Sequence, residues 1–167
     1  MRITEITAYH GSQPRDTTGF ALSHRGVNSH TFGEYESDRH GVFFTTNPEF
    51  AKLYGDVEEY DLQVTNTIDL DDRNADFADF VHQLIDQDRN LGLEARDLLQ
   101  YRTRNVWRMF EDELGKHFVE YLLGQGYDSA RFTEYNEDDE GNELESETIV
   151  VLEPNKIVKN KQLQLDI

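Results

Sequence analysis

Phe77, Phe80, Val81, Leu84 and Ile85 recur at i, i+3, i+4, i+7 and i+8, a spacing that builds one face of an α-helix and cannot build a strand. A second helical stretch follows at about 93–101. A third is expected over 105–123, where Trp107, Phe110, Leu114, Phe118, Tyr121 and Leu122 form the apolar stripe and Gly124 and Gly126 end it. On both sides of this helical block the period changes to two. "ITEITAYHG" alternates apolar and polar residues, "VEEYDLQV" sets Tyr60, Leu62 and Val64 on one face, and "ETIVVL" is a β-branched run suited to a buried strand. Strands, helices, then strands predict an α+β fold: a single domain over 1–167 with a helical insertion at about 75–123. The polar, glycine-bearing stretch 12–40 has no sustained period and reads as a long irregular segment.

Charge narrows the possible partners. Sixteen Lys and Arg against 34 Asp and Glu leave a formal net charge of −18, which repels nucleic-acid backbones and anionic membranes at long range. Nucleic acid is therefore not expected as a substrate. Residues 134–147, "EYNEDDEGNELESE", carry eight acids and no base, and the block 134–146 reads as a solvated acidic loop able to meet a basic partner. The absence of cysteine excludes disulfides and thiolate metal sites, and no run approaches the length of a membrane span. The expected location is the cytoplasm. The six histidines show no metal-binding spacing, so no metal is expected.

Three short motifs remain. Tyr9-His10-Gly11 ends the first strand. "GVFFTTNPEFAKLYG" (41–55) is a strand leading into a short helix, with Asn47 as cap, Pro48 in the first turn and Gly55 as stop. Glu147 opens the run Thr148-Ile149-Val150-Val151. Each has a structural explanation alone: a strand-end histidine that is hydrogen-bonded, aromatics that are core, a glutamate that is the last residue in water.

Taken together and in this order, the motifs resemble the ADP-ribosyltransferases of the His-Tyr-Glu class, which includes diphtheria-type toxins, poly-ADP-ribose polymerases and many phage proteins. The resemblance covers both ends of the chain and not its helical middle. Gly41-Val42-Phe43-Phe44, Ala51 and Tyr54 match the family's second block, and "GQGYDSARF" is similar to a Gly-Tyr-Asp segment of phage members. The resemblance implies a split antiparallel sheet and NAD as co-substrate. It also implies mono-ADP-ribosyl transfer to a protein, in a toxin-like or anti-host role encoded by a phage or mobile element. Glu147 would stabilise the oxocarbenium-like ribose, His10 would bind the adenosine-side ribose, and Gly11 would bond the carboxamide through its backbone. Phe43 and Tyr54 would flank the flat cationic nicotinamide ring. Ser12, Phe44 and Thr45 would line the cofactor site, and Glu145, in Glu145-Ser146-Glu147, would help recognise the acceptor. The family often has Tyr where this chain has Phe43. The acidic loop would attract a basic host protein. Two other readings stay open: an NAD glycohydrolase toxin, and an acidic protein that mimics nucleic acid without catalysis.

Overall fold

The protein is described by a computed structural model covering residues 4–12, 23–28, 35–72, 75–100 and 105–159. Its chain order is β1 (Thr4–Ser12), β2 (Ser23–Asn28), β3 (Tyr35–His40), β4 (Val42–Thr45), α1 (Pro48–Ala51), β5 (Asp56–Val64), β6 (Thr67–Asp69), α2 (Ala78–Gln87), α3 (Arg89–Gln100), α4 (Asp112–Gly124), β7 (Ser129–Glu137), β8 (Glu143–Val151) and β9 (Ile157–Lys159). Seven strands form one sheet in the order β6-β7-β8-β4-β1-β5-β9, and β2 and β3 form a separate ribbon. The architecture is α+β. Among the described residues every pairing in this sheet is antiparallel except β6 with β7, which makes the sheet mixed. That parallel pair is possible because the helical block lies between the two strands and supplies the long crossover parallel pairing needs.

The sheet separates two cores. On one face, Ala130, Phe132, Val150 and Leu152 pack under Phe80, Leu84, Phe110, Leu114, Phe118 and Leu122 of the helical block. On the other, Ala8, Val42, Phe44, Tyr60, Leu62, Val64, Ile149 and Val151 form a second cluster drawn from strands alone. The strand β5 buries Tyr60, Leu62 and Val64 as its alternation predicts. Asn47 caps α1 by accepting from the Glu49 N–H at 3.0 Å, Pro48 opens the helix, and Gly55 follows it at φ 136°.

Three sequence expectations change. Part of 12–40 is not irregular: β2 and β3 pair from Ser23↔His40 to Asn28↔Tyr35, because a backbone ladder forms without a hydrophobic period. The expected helix over 105–123 is broken into a 3-10 turn (Val106–Phe110) and α4. At the break Glu111 is extended and bridged to Arg39, and Asp112 takes a φ of +54°. Most of the expected acidic loop 134–146 is paired strand, and only Asp138–Asn142 forms the turn, closed by Asp138 accepting from the Asn142 N–H at 2.8 Å.

Candidate functional site at the β1–β4 seam

The three motifs, far apart in sequence, occupy three neighbouring strands: β1 carries Tyr9-His10-Gly11, β4 carries Phe43-Phe44-Thr45, and β8 carries Glu147. The joint between β1 and β4 is thin. They share one paired position, Tyr9↔Thr45, whereas β1 pairs with β5 along all nine of its residues. Beyond that position the His10 ring takes over from backbone, its Nδ1 lying 2.8 Å from the Phe43 carbonyl oxygen. The seam therefore divides the sheet into a β6-β7-β8-β4 half and a β1-β5-β9 half.

Register decides which side chains can meet, since paired residues share a face and neighbours along a strand alternate. Val42↔Val151 through Thr45↔Thr148 run without a bulge, as do all the β7–β8 pairs. His10, Phe44, Glu145 and Glu147 consequently lie on the strand-only face, and Tyr9, Gly11, Phe43 and Thr45 on the helical face. His10 and Glu147 are two strands and two residues apart, about 12 Å between Cα atoms at ordinary strand spacings.

On the helical face, Phe43 is partly buried and packs against the helical core. It meets Phe110 edge-on at 5.7 Å and Phe132 at 6.2 Å, and the Arg39 guanidinium lies over it 4.8 Å from its centroid. Tyr54 is half-buried against Phe50, with Asn136 Nδ2 donating to its hydroxyl at 3.4 Å. Gly11 is required for space: a Cβ there would collide with the Ala51 carbonyl oxygen and crowd Tyr54 Cβ. On the other face, Phe44 is buried between Tyr60 (5.6 Å) and His10 (5.5 Å), and any contact it makes with a ligand in the seam is through backbone. Ser12 ends β1 opposite Asp56, and its side chain lies outside the described residues.

Glu147 presents a half-exposed carboxylate whose Oε1 is 3.5 Å from Arg131 Nε. Arg131 also reaches Asp69 (2.8 Å) and Asp71 (3.6 Å), which ties β8 to the far edge of the sheet through one guanidinium. Glu145 is exposed opposite Tyr135, itself an exposed aromatic.

Sequence reasoning missed what lies under Glu147. Thr45 Oγ1 and Ser146 Oγ are 2.6 Å apart, and Ser146 Oγ and Thr148 Oγ1 are 2.8 Å apart, all three buried. Thr148 in turn hydrogen-bonds the Glu134 carboxyl. Burial pushes that carboxyl above the usual carboxylate range, against the opposing pull of Thr148 and Arg39. A signal existed: Ala130, Phe132 and Glu134 alternate, which places Glu134 on the apolar side of β7 once 129–137 is read as a strand.

The Gly-Tyr-Asp segment has a structural role. Asp128 accepts from Thr65 N (2.7 Å), Thr65 Oγ1 (2.8 Å), Asn66 N (3.1 Å) and Ser129 Oγ (2.9 Å), fastening the β5–β6 turn to the start of β7. Burial opposes its ionisation, but these donors outweigh burial and hold the carboxyl below its ordinary value. Among the described residues no helix is long and apolar enough to cross a membrane, and no group of three or more His, Asp or Glu could hold a metal ion.

No family model and no curated protein matches the chain. A solved structure described as a crystal structure of an anti-CRISPR protein is similar at 16% identity and a TM-score of 0.42, covering 92% of this chain and 93% of that one.

Proposed function

We propose that this protein is an NAD⁺-dependent mono-ADP-ribosyltransferase that modifies a basic host protein, with NAD⁺ lying along the β1–β4 seam. The observation that carries the reading is the seam itself: three motifs that match one chemistry in sequence meet on adjacent strands, where the sheet is joined at a single position. In this reading NAD⁺ meets His10 and Glu147 on the strand-only face and Gly11 and Tyr54 on the helical face. The separation of His10 from Glu147 suits a dinucleotide whose two riboses are joined by a pyrophosphate.

In the reaction the bond between nicotinamide nitrogen and ribose C1′ breaks, its electron pair neutralising the pyridinium. An acceptor nucleophile bonds to C1′ and loses its proton. Glu147 stabilises the positive charge that develops on the ribose, as a fixed carboxylate does best when aimed at charge present only in the transition state. Its half-exposed position leaves room for a protein acceptor, and it stands on β8 five residues after the acidic turn Asp138–Asn142. That exposure equally admits water, which makes NAD glycohydrolysis the second reading.

Incubating the protein and Glu147→Gln with labelled NAD⁺ and bacterial lysate tests the assignment. The expected result is label on one or a few proteins, lost in the variant. Nicotinamide release without labelled protein favours the glycohydrolase. Absence of both binding and turnover overturns the enzymatic reading and favours an acidic binding protein.

A further inference from the structure

We propose that Glu134 is a positioning residue that fixes the Glu147 segment of β8 from the opposite face of the sheet, through Thr148, Ser146 and Thr45. The inference rests on the reading of Glu147 as the working carboxylate. Each residue from 145 to 148 is held by a separate bond. Asn47 Nδ2 donates to the Glu145 carbonyl at 3.0 Å, and Thr46 N–H donates to the Glu147 carbonyl at 3.1 Å. Ser146 and Thr148 are held through their hydroxyls, on the face that Glu147 does not use.

The hydroxyls have a direction. Thr148 donates to the Glu134 carboxylate, which leaves its oxygen to accept from Ser146. Ser146 in turn accepts from Thr45, whose oxygen also accepts from the Asn47 N–H at 3.0 Å. Each hydroxyl has one proton to give, so the chain runs head to tail and needs a terminal group that accepts. Glu134 is that group. Removing it strands a donor at Thr148, which is 2% exposed, and frees the whole row to turn. The row spans β4, β8 and β7, so a shift in it moves the backbone on both sides of Glu147. A displacement near 1 Å at a catalytic group costs about 100-fold in rate.

A purely structural role predicts a different pattern from a positioning role. Folding opposes the ionisation of Glu134, and an amide at this position keeps a carbonyl oxygen that can accept from Thr148. The test measures NAD⁺ cleavage, melting temperature and hydrogen exchange at the Thr46 amide in Glu134→Ala, Glu134→Gln, Thr148→Val and Glu147→Gln. The expected result for Glu134→Ala and Thr148→Val is a kcat lowered about tenfold or more with KM within about twofold, and faster Thr46 exchange. Glu134→Gln should recover most of the rate. An unchanged kcat in Glu134→Ala, with Glu147→Gln inactive, overturns the proposal and leaves the function standing. If the parent protein leaves NAD⁺ intact, the functional reading fails by itself. Exchange at Thr46 then decides: no change overturns the clamp, and faster exchange sustains it.

Discussion

Arg131 and Glu147 meet across β7 and β8 with 3.5 Å between Nε and Oε1, and the same guanidinium is held by Asp69 at 2.8 Å. Arg131 thereby aims the Glu147 carboxylate while partly neutralising three acids. Arg131→Ala leaves Asp69, Asp71 and Glu147 facing each other without their cation. Because these groups are partly exposed, the expected loss of stability is small, about 1 kcal/mol or less. Nicotinamide release should fall several-fold more than that loss explains, and parallel melting curves and initial rates check the split.

Asp128 makes the β5–β6 turn pH-sensitive. Its folded-state pKa is depressed, so the unfolded chain binds the proton more readily than the native one. The stabilisation is present above the ordinary carboxylate pKa and is lost as pH falls through the lower folded value. Asp128→Ala should cost about 2–3 kcal/mol at neutral pH, leaving the Thr65 and Asn66 donors unsatisfied. Urea unfolding at pH 7 and again in the acid range should show that difference shrink as pH falls. A constant difference would remove Asp128 as the cause.

Gly11 is set by contact and not by backbone conformation. Gly11→Ala drives a methyl into the Ala51 carbonyl, so β1 and α1 must part. The expected cost is about 1–3 kcal/mol. As the same shift moves His10 and Tyr54 apart, NAD⁺ affinity should fall alongside the melting temperature. Calorimetric titration with NAD⁺ below the melting transition measures it.

The β7–β8 arm gives a salt-dependent prediction. Asp138, Asp139, Glu140 and Glu143 lie in or beside its turn. Replacing them with Asn and Gln should slow modification of a basic target and flatten the dependence of that rate on ionic strength. Hydrolysis of NAD⁺ without target should stay unchanged. A target rate indifferent to both changes would rule out steering by the arm.

Much of this was legible along the chain. The i, i+3, i+4 stripe of Phe77–Ile85 dictates a helix because only a 3.6-residue period brings those rings to one side. Tyr60, Leu62 and Val64 dictate a half-buried strand for the corresponding reason at period two. Asn47, Pro48 and Gly55 mark the bounds of a short helical turn through chemistry that acts within a few residues. The order of Tyr9-His10-Gly11, Phe43 to Tyr54 and Glu147 could be seen as well. What tertiary structure alone decided is which of these share a face. That depends on register between strands as far apart in sequence as β4 and β8, and a one-residue slip would exchange Glu147 for Ser146 or Thr148. The pairing Thr45↔Thr148 turns Phe43 toward the helical core under Arg39 and Glu147 to the other face, and the pairing Glu134↔Ser146 brings Glu134 to the face beneath it. The side of β7 that Glu134 takes is legible in its alternation with Ala130 and Phe132, but the contacts themselves have no local signature, because each is fixed by hydrogen bonds between strands.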